Sequence, residues 1–533
     1  MDGLSSEVVV TYLNIILYAI SYQLQRPVEP FLVRSLIHNN SNSNNTTKES
    51  EESASNKTYG RLTSFFSLIQ TIGSPLVGTL LDRIGPRRTS ILVYGASATS
   101  YWILAHATSP TWLFWSKVPT VLQHAFLVGQ ATVSCVENEY LDENTSSSST
   151  MRAAALGRMT TAYTVGATIG PGLGGILASE DLYAGARLAV WGSLASVLLS
   201  IFYLKDHDKK KSRHSKEENK SSSGSQKGEM HQKQQSSFLT SLKNTLFLLH
   251  HPVLTPLLGM KLLNGVSSSA FTTILPLILA NKLHFDQADM GYLMSSSSFC
   301  VAIFAAVGIT PAMIFVGNRP DRLALIGVGL RLLSIVMLAV VVSFLVFTSA
   351  TRTLSVVDPV DVTTTASTKI STNGFIWTSI ASIAISLSSH MHATSLTTLT
   401  TGAVSSEERG ALLGLEHGLF AMARIVGPPL GTMLLSRPFF MVSQFDAWFS
   451  KSSLLGKKYA HLNEQEGNFM ENLGIGGLWS VVLVCVLLDL CLLTSLRVWS
   501  ANQYANKKIK IDGVEDVAYN HVNVECDDHD HSD

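Results

Sequence analysis

The chain has 533 residues, 46% hydrophobic and only 15% charged, where soluble domains carry about a quarter charged residues. Its 39 basic and 39 acidic residues give a formal net charge of zero, so nucleic-acid binding lacks electrostatic support. Much of the charge sits in a few segments and leaves long apolar runs, the pattern of a chain that lives in a lipid bilayer.

A window of about 19 residues finds about twelve such runs, near 8–30, 61–81, 89–108, 112–135, 154–178, 187–204, 253–280, 289–315, 322–348, 374–402, 411–435 and 474–496. Each approaches the ~20 residues that cross ~30 Å of hydrocarbon. No basic residue precedes the first run, so it is expected to stay as a membrane helix rather than leave as a signal peptide. That run is also the least uniform, because it holds Arg26, Pro27, Glu29 and Pro30. The following segment, 37–59, is rich in Asn and Ser and reads as a loop. Its Asn-x-Ser/Thr sequons at Asn39, Asn44, Asn45 and Asn56 suit a glycoprotein, although Asn144 and Asn219 carry sequons too.

The longest interruption is 205–237, opening on Lys205, Asp206, His207, Asp208, Lys209, Lys210 and Lys211. It is too polar to bury a core and is expected to be disordered. Its lysines should stay cytosolic, and an even helix count then puts both termini in the cytosol. The expected organisation is a six-helix bundle over 1–204, a cytosolic loop over 205–245, a second six-helix bundle over 246–497 and a cytosolic tail over 498–533. Segments 350–373 and 437–473 read as long non-cytosolic loops. Of the five cysteines, Cys135, Cys300, Cys485 and Cys491 lie in apolar segments and Cys526 in the tail, with no C-x-x-C pair. Neither a zinc site nor a disulfide framework is indicated.

One element occurs twice. Gly166, Gly170, Pro171, Gly174 and Gly175 stand in the fifth run; Gly427, Pro428 and Gly431 stand in the eleventh. Arg152, Ala154, Leu156 and Gly157 precede the first copy as Arg409, Ala411, Leu413 and Gly414 precede the second. Glycines four apart let membrane helices approach closely, and a proline among them bends the helix. Repetition in two halves is the mark of parallel-repeat transporters. Between the second and third runs, Gly78, Asp82, Arg83, Gly85, Arg87 and Arg88 describe a tight turn that brings a carboxylate and three guanidinium groups to a helix end. Such a cluster can latch one conformation, or simply anchor the loop on the positive-inside rule.

These residues resemble the major facilitator superfamily. The loop signature G-x-x-x-D-R-x-G-[RK]-[RK] is met at Gly78, Asp82, Arg83, Gly85 and Arg87, with Pro86 departing at the first basic position and Arg88 following. The signature of that family's drug:proton antiporter branch, G-x-x-x-G-P-x-x-G-G, is met in full by Gly166, Gly170, Pro171, Gly174 and Gly175. Leu156-Gly157-Arg158, Gly291 to Ser295 and Leu412 to Leu415 resemble the eukaryotic tetracycline-transporter-like and organic-cation-transporter-like carriers. The resemblance implies an all-α protein with two pseudo-symmetric six-helix bundles and a cavity between them. It also implies proton-coupled export of organic cations or amphiphilic drugs, at the cell surface or in an endomembrane. The family's helix-four arginine, implicated in proton transfer, corresponds to Lys117 here, which keeps the charge but not the planar fork.

Ionisable residues inside apolar runs are functional candidates. Arg26 and Glu29 are three apart and could form a local ion pair. Lys117 either takes part in proton transfer or snorkels to the outer interface. Lys261 and Arg331 lie in the seventh and ninth runs, and Glu416, His417 and Arg424 in the eleventh. His390 and His392 sit amid serines and threonines in the tenth, where a histidine carries a proton near neutral pH or is simply satisfied by hydrogen bonds. Asp489 interrupts the twelfth, as a proton site or as the partner of a buried cation. The substrate and proton candidates are therefore Arg26, Glu29, Lys117, His390 and Asp489. No nucleotide loop, nucleophile elbow or metal-spaced cluster occurs, so the chain reads as a monomeric carrier of a small molecule without cofactor or metal, not an enzyme. A uniporter, a symporter or a non-transporting receptor on the same fold remain alternatives.

Overall fold

Proline lacks an amide hydrogen and clashes with the preceding turn, and Pro27 and Pro30 interrupt the first run accordingly. Helix α1 (Ser6–Gln23) stops, the chain turns with the Val28 N–H donating to the Gln25 carbonyl at 3.1 Å, and α2 (Glu29–Ser41) begins. The computed structural model describes residues 6–41, 48–140, 147–205, 251–355, 372–404, 409–436 and 475–526. Helix α3 covers Lys48–Ala105 and contains two membrane crossings joined at Gly85, whose φ of 80° and ψ of 170° lie in a region open essentially to glycine alone. The side chain of Asp82, in the same turn, lies outside the described residues. Arg87 donates to the Ile201 carbonyl at 2.8 Å and so ties the turn to the sixth crossing.

The segment 37–59 is not the loop expected from its polarity. Helix α2 reaches Ser41 and α3 starts at Lys48, because Lys, Glu and Ala at 48–54 are good helix formers. The fourth run is also not continuous. Helix α4 (Pro110–Lys117) passes into a 3-10 turn over Val118–Leu122 that contains Pro119, and α5 (Ala125–Tyr140) follows. Next come α6 (Ser147–Glu180) and α7 (Ala184–Tyr203). In the turn between them the Tyr183 N–H donates to the Asp181 carboxylate at 2.9 Å. With the Arg187 guanidinium, it holds that carboxyl below the usual carboxylate range.

The second half comprises α8 (Leu254–Lys282), α9 (Gln287–Ile303), α10 (Ile309–Phe315), α11 (Pro320–Ser355), α12 (Thr372–Gly402), α13 (Arg409–Ser436) and α14 (Gly476–Cys526). A π turn at Phe304–Gly308 joins α9 to α10. Helix α14 runs well past residue 497, so the tail begins as a continuation of the last crossing. Residues 527–533, the central loop from 206 on, all of 437–473, most of 350–373, and the sequons at Asn44, Asn45, Asn144 and Asn219 lie outside the described residues.

The fold is all-α, in two pseudo-symmetric six-helix bundles, and seven helices among the described residues are long and apolar enough to cross a membrane. The symmetry shows in the packing: α6 lies on α1 in the first bundle as α13 lies on α8 in the second. Ile15, Val77, Val93, Val128 and Met159 centre the first core; Ile274, Ile335, Leu338, Ile385 and Val481 centre the second. Large apolar side chains such as Trp191, Phe202 and Phe344 stay exposed, as a lipid-facing surface requires.

The bundles meet where α3 packs on α13 and α6 on α9. Contacts between them gather toward one end. Arg34 donates to Asn281 at 3.1 Å, Lys282 pairs with Glu52 at 3.4 Å, and Asn281 donates to Asn56 at 3.3 Å. Asn56 is only 3% exposed, so its sequon is not presented to a glycosylating enzyme in this conformation. Nearer the middle, Ser64 donates to the Ile425 carbonyl at 2.6 Å and Ser295 to the Thr168 carbonyl at 2.6 Å.

Candidate substrate site

The repeated glycine elements set the site's walls. A Cβ at Gly166 would stand 2.5 Å from the Ala19 Cβ, and one at Gly170 would stand 2.6 Å from the Gln23 Cβ, while one at Gly174 would collide with the Leu24 carbonyl. These three glycines therefore seat α6 on α1. The other face of the same motif meets the opposite bundle: a Cβ at Gly175 would strike the Gln287 carbonyl, one at Gly291 would stand 2.6 Å from the Pro171 carbonyl, and the Gly172 N–H donates to Ser295 at 2.8 Å. In the second copy, Gly427 and Gly431 seat α13 on α8 at Ser269 and Ala270. One ten-residue motif thus fixes a contact within a bundle and a contact between bundles.

Between the bundles lies a cavity of about 360 Å³. From the first bundle Tyr22, Gln25, Arg26, Glu29, Tyr59, Phe66, Tyr101, Lys117, Gln123 and Tyr163 reach it; the second contributes Ser268, Ser269, Thr272, Thr273, Phe420, Arg424 and Pro428. Glu29 pairs with Lys117, not with Arg26. The two are only 17% and 14% exposed. Lys117 also lies 5.5 Å from the centroid of Phe66, so it points into the protein and does not snorkel outward. The break before α2 and the 3-10 turn after α4 bring the two partners together, since each places its charged residue at a helix end beside the cavity.

Arg26 is exposed to the cavity and, among the described residues, meets no carboxylate. Arg424 faces it from the other bundle, 5.9 Å from the Phe66 centroid and 6.0 Å from that of Phe420. Tyr22 stacks on Phe66 at 6.0 Å and on Tyr18 at 6.3 Å, forming an aromatic row along one wall.

The remaining sequence candidates lie elsewhere. Asp489 is fully buried inside the second bundle, where Arg331 grips it through two nitrogens, Nε at 3.0 Å, and Ser267 donates to it at 3.0 Å. Arg331 also donates to Asn264. Asp489 is thus the partner of a buried cation and has no access to the cavity. His390 is half-buried on α12 and does not line the cavity; His392 is buried, its Nδ1 3.1 Å from the Ala324 carbonyl. A third intramembrane pair joins Lys261 to Glu416 at 2.5 Å, with Thr397 and Thr400 bonded to it. Sequence reasoning noted Arg424 without choosing it and passed over Phe66. The available signal was an arginine two turns into an apolar helix, three residues before the repeated glycine motif.

An apolar chain folded into two six-helix bundles around a polar central cavity defines a membrane carrier of small solutes. A family model described as the Major Facilitator Superfamily matches residues 11–390, and the chain belongs to that family. It is 24% identical over 389 residues to solute carrier family 22 member 18 of Mus musculus, covering 70% of this chain and 80% of that one. Multidrug resistance protein 2 of Bacillus subtilis (strain 168) is 25% identical over 249 residues, 47% of this chain and 56% of its own length. In fold the chain is similar to a bacterial homologue of the human lysosomal transporter Spinster in an inward-facing, unoccupied conformation, with TM-score 0.56, 14% identity and coverage of 94% and 98%. It is similar also to the nucleoside transporter NupG, with TM-score 0.56, 12% identity and coverage of 92% and 98%. The protein is a multi-pass transporter, not an enzyme.

Proposed function

We propose that this chain is a monomeric, proton-coupled carrier of an amphiphilic organic solute, working by alternating access, with Glu29 as its proton site. The observation that carries the reading is the Glu29–Lys117 pair, because among the described residues Glu29 is the single carboxylate of the cavity lining. Adding a proton to Glu29 removes its charge and releases Lys117, which changes the electrostatics of the whole site in one step. The aromatic row suits an amphiphilic ligand, and a multidrug resistance protein among the relatives is in keeping with one. The organic-cation substrate implied by the antiporter motif needs a carboxylate free to meet it, and the only one that lines this cavity among the described residues already holds a lysine.

Orientation follows from the lysines of 205–237 lying in the cytosol with both termini. The sealed end at Arg34, Glu52 and Asn281 is then the outer one, and the cavity faces the cytosol. In this scheme the turn around Asp82, Arg83, Arg87 and Arg88 locks the cytosolic ends in the opposite, outward-facing state. Asp82→Asn should shift the balance between the two states and alter the labelling of cysteines engineered into the cavity. Unchanged labelling would leave the turn as a simple anchor.

Reconstitution into vesicles with an imposed pH gradient tests the proton site. Glu29→Gln should abolish gradient-driven flux and spare energy-independent exchange of substrate, since binding and rocking do not need the proton. Gradient-driven flux that survives in Glu29→Gln would remove Glu29 from the mechanism.

A further inference from the structure

Among the described residues, the cavity lining holds Arg26, Lys117 and Arg424 against Glu29, three cations and one carboxylate, for a net of two positive charges. Glu29 already neutralises Lys117. The two guanidinium groups are left over, one on each bundle, and both line the same cavity. A cation that faces a cavity within a membrane protein is a functional candidate and normally meets a counter-charge. Neither Arg26 nor Arg424 has one among the described residues. Gln25 also lines the cavity, with its amide nitrogen buried and without a hydrogen-bond partner. Unsatisfied donors and uncompensated positive charge point to the same missing group, an acceptor with negative charge.

We infer that the substrate is an aromatic organic anion whose carboxylate, sulfonate or sulfate is shared by Arg26 and Arg424 while its ring lies along Tyr22, Phe66 and Phe420. The guanidinium fork matches a planar or tetrahedral oxyanion in a way a lysine does not. Because the two arginines stand on opposite bundles, the anion itself supplies the attraction that draws the bundles together. With Glu29 protonated and no anion bound, Lys117 joins the two arginines as a third uncompensated cation, and their repulsion opposes a transition that would carry the proton alone. The assignment rests on the proton-coupled reading above and fixes its sign. Protonating Glu29 adds a further uncompensated cation, Lys117, to the site, so proton and anion favour each other's binding and travel in the same direction.

The test uses the full chain in nanodiscs and two permanently charged probes with one ring system, naphthalene sulfonate and naphthylmethyl trimethylammonium. Neither changes charge over the pH range studied. The sulfonate should bind and the ammonium should not. Arg26→Gln and Arg424→Gln should each weaken sulfonate binding at least tenfold, with thermal unfolding in the absence of ligand unchanged, and Arg424→Lys should recover part of the loss. Sulfonate affinity should rise as pH falls, and in Glu29→Gln it should be high and independent of pH. Preference for the ammonium, binding of neither probe, or sulfonate affinity untouched by both arginine substitutions would each overturn the assignment. The two readings fail separately: ammonium transport driven by pH through Glu29 would keep the proton site and discard the anion. Sulfonate bound by the two arginines, with gradient-driven flux intact in Glu29→Gln, would do the reverse.

Discussion

Asp489→Leu should give a protein that unfolds far more readily than wild type, with a lowered Tm in detergent and a reduced yield from membranes. Arg331 is 1% exposed and Asp489 is fully buried, so removing the carboxylate strands a guanidinium in the core of the second bundle. Breaking a buried pair from one side costs about 3–5 kcal/mol, whereas replacing both members with apolar residues of similar volume is often neutral. The combined Arg331→Met and Asp489→Leu protein should therefore recover most of the lost stability. A single variant as stable as wild type would mean that the pair is not formed. Flux measured in the recovered double variant should also remain proton-driven, since neither residue lines the cavity.

Gly174→Leu should insert and reach the membrane yet lose transport. Insertion depends on hydrophobicity, which leucine raises, but the side chain would be driven into the Leu24 carbonyl where α6 crosses α1. Overpacking of this kind typically costs about 1–3 kcal/mol, and each ~1.4 kcal/mol shifts a conformational balance tenfold. Flux should fall at least about tenfold, with surface abundance within twofold of wild type as read by a tag. Gly170→Leu should behave alike, because its Cβ would already crowd Gln23 at 2.6 Å. Normal flux in both variants would show that this helix contact does not shape the transport cycle.

Much of the architecture is legible in the sequence, because its determinants are local. The length of the apolar runs, the paired glycine motifs and the Gly85 turn each act within a few residues. The glycine motif even specified its use, since residues four apart must share a helix face. What could not be read is which charges meet. Glu29 and Lys117 are 88 residues apart, and Arg331 and Asp489 are 158 apart. Their pairing depends on the rotation of each helix about its axis and on how the bundles dock. Spacing alone allowed a local pair of Arg26 with Glu29, but Glu29 pairs with Lys117. Polarity misled at 37–59 for a related reason: lysine and glutamate are loop-like in hydropathy yet helix-favouring in backbone preference. Pro119 had the opposite effect, since an apolar run that looked long enough to span hides a break that places Lys117 at the cavity.

Alternating access makes one demand that no static carrier or receptor shares: the end now sealed must open in every cycle. Arg34 and Asn281 face each other there across the two bundles at 3.1 Å. A chain carrying Arg34→Cys and Asn281→Cys, reconstituted and treated with a short bis-methanethiosulfonate linker that spans the length of the lost arginine side chain, should cross-link, lose its flux, and regain it on reduction, while each single variant transports under both conditions. Undiminished flux through the cross-linked protein would contradict the rocking-bundle account.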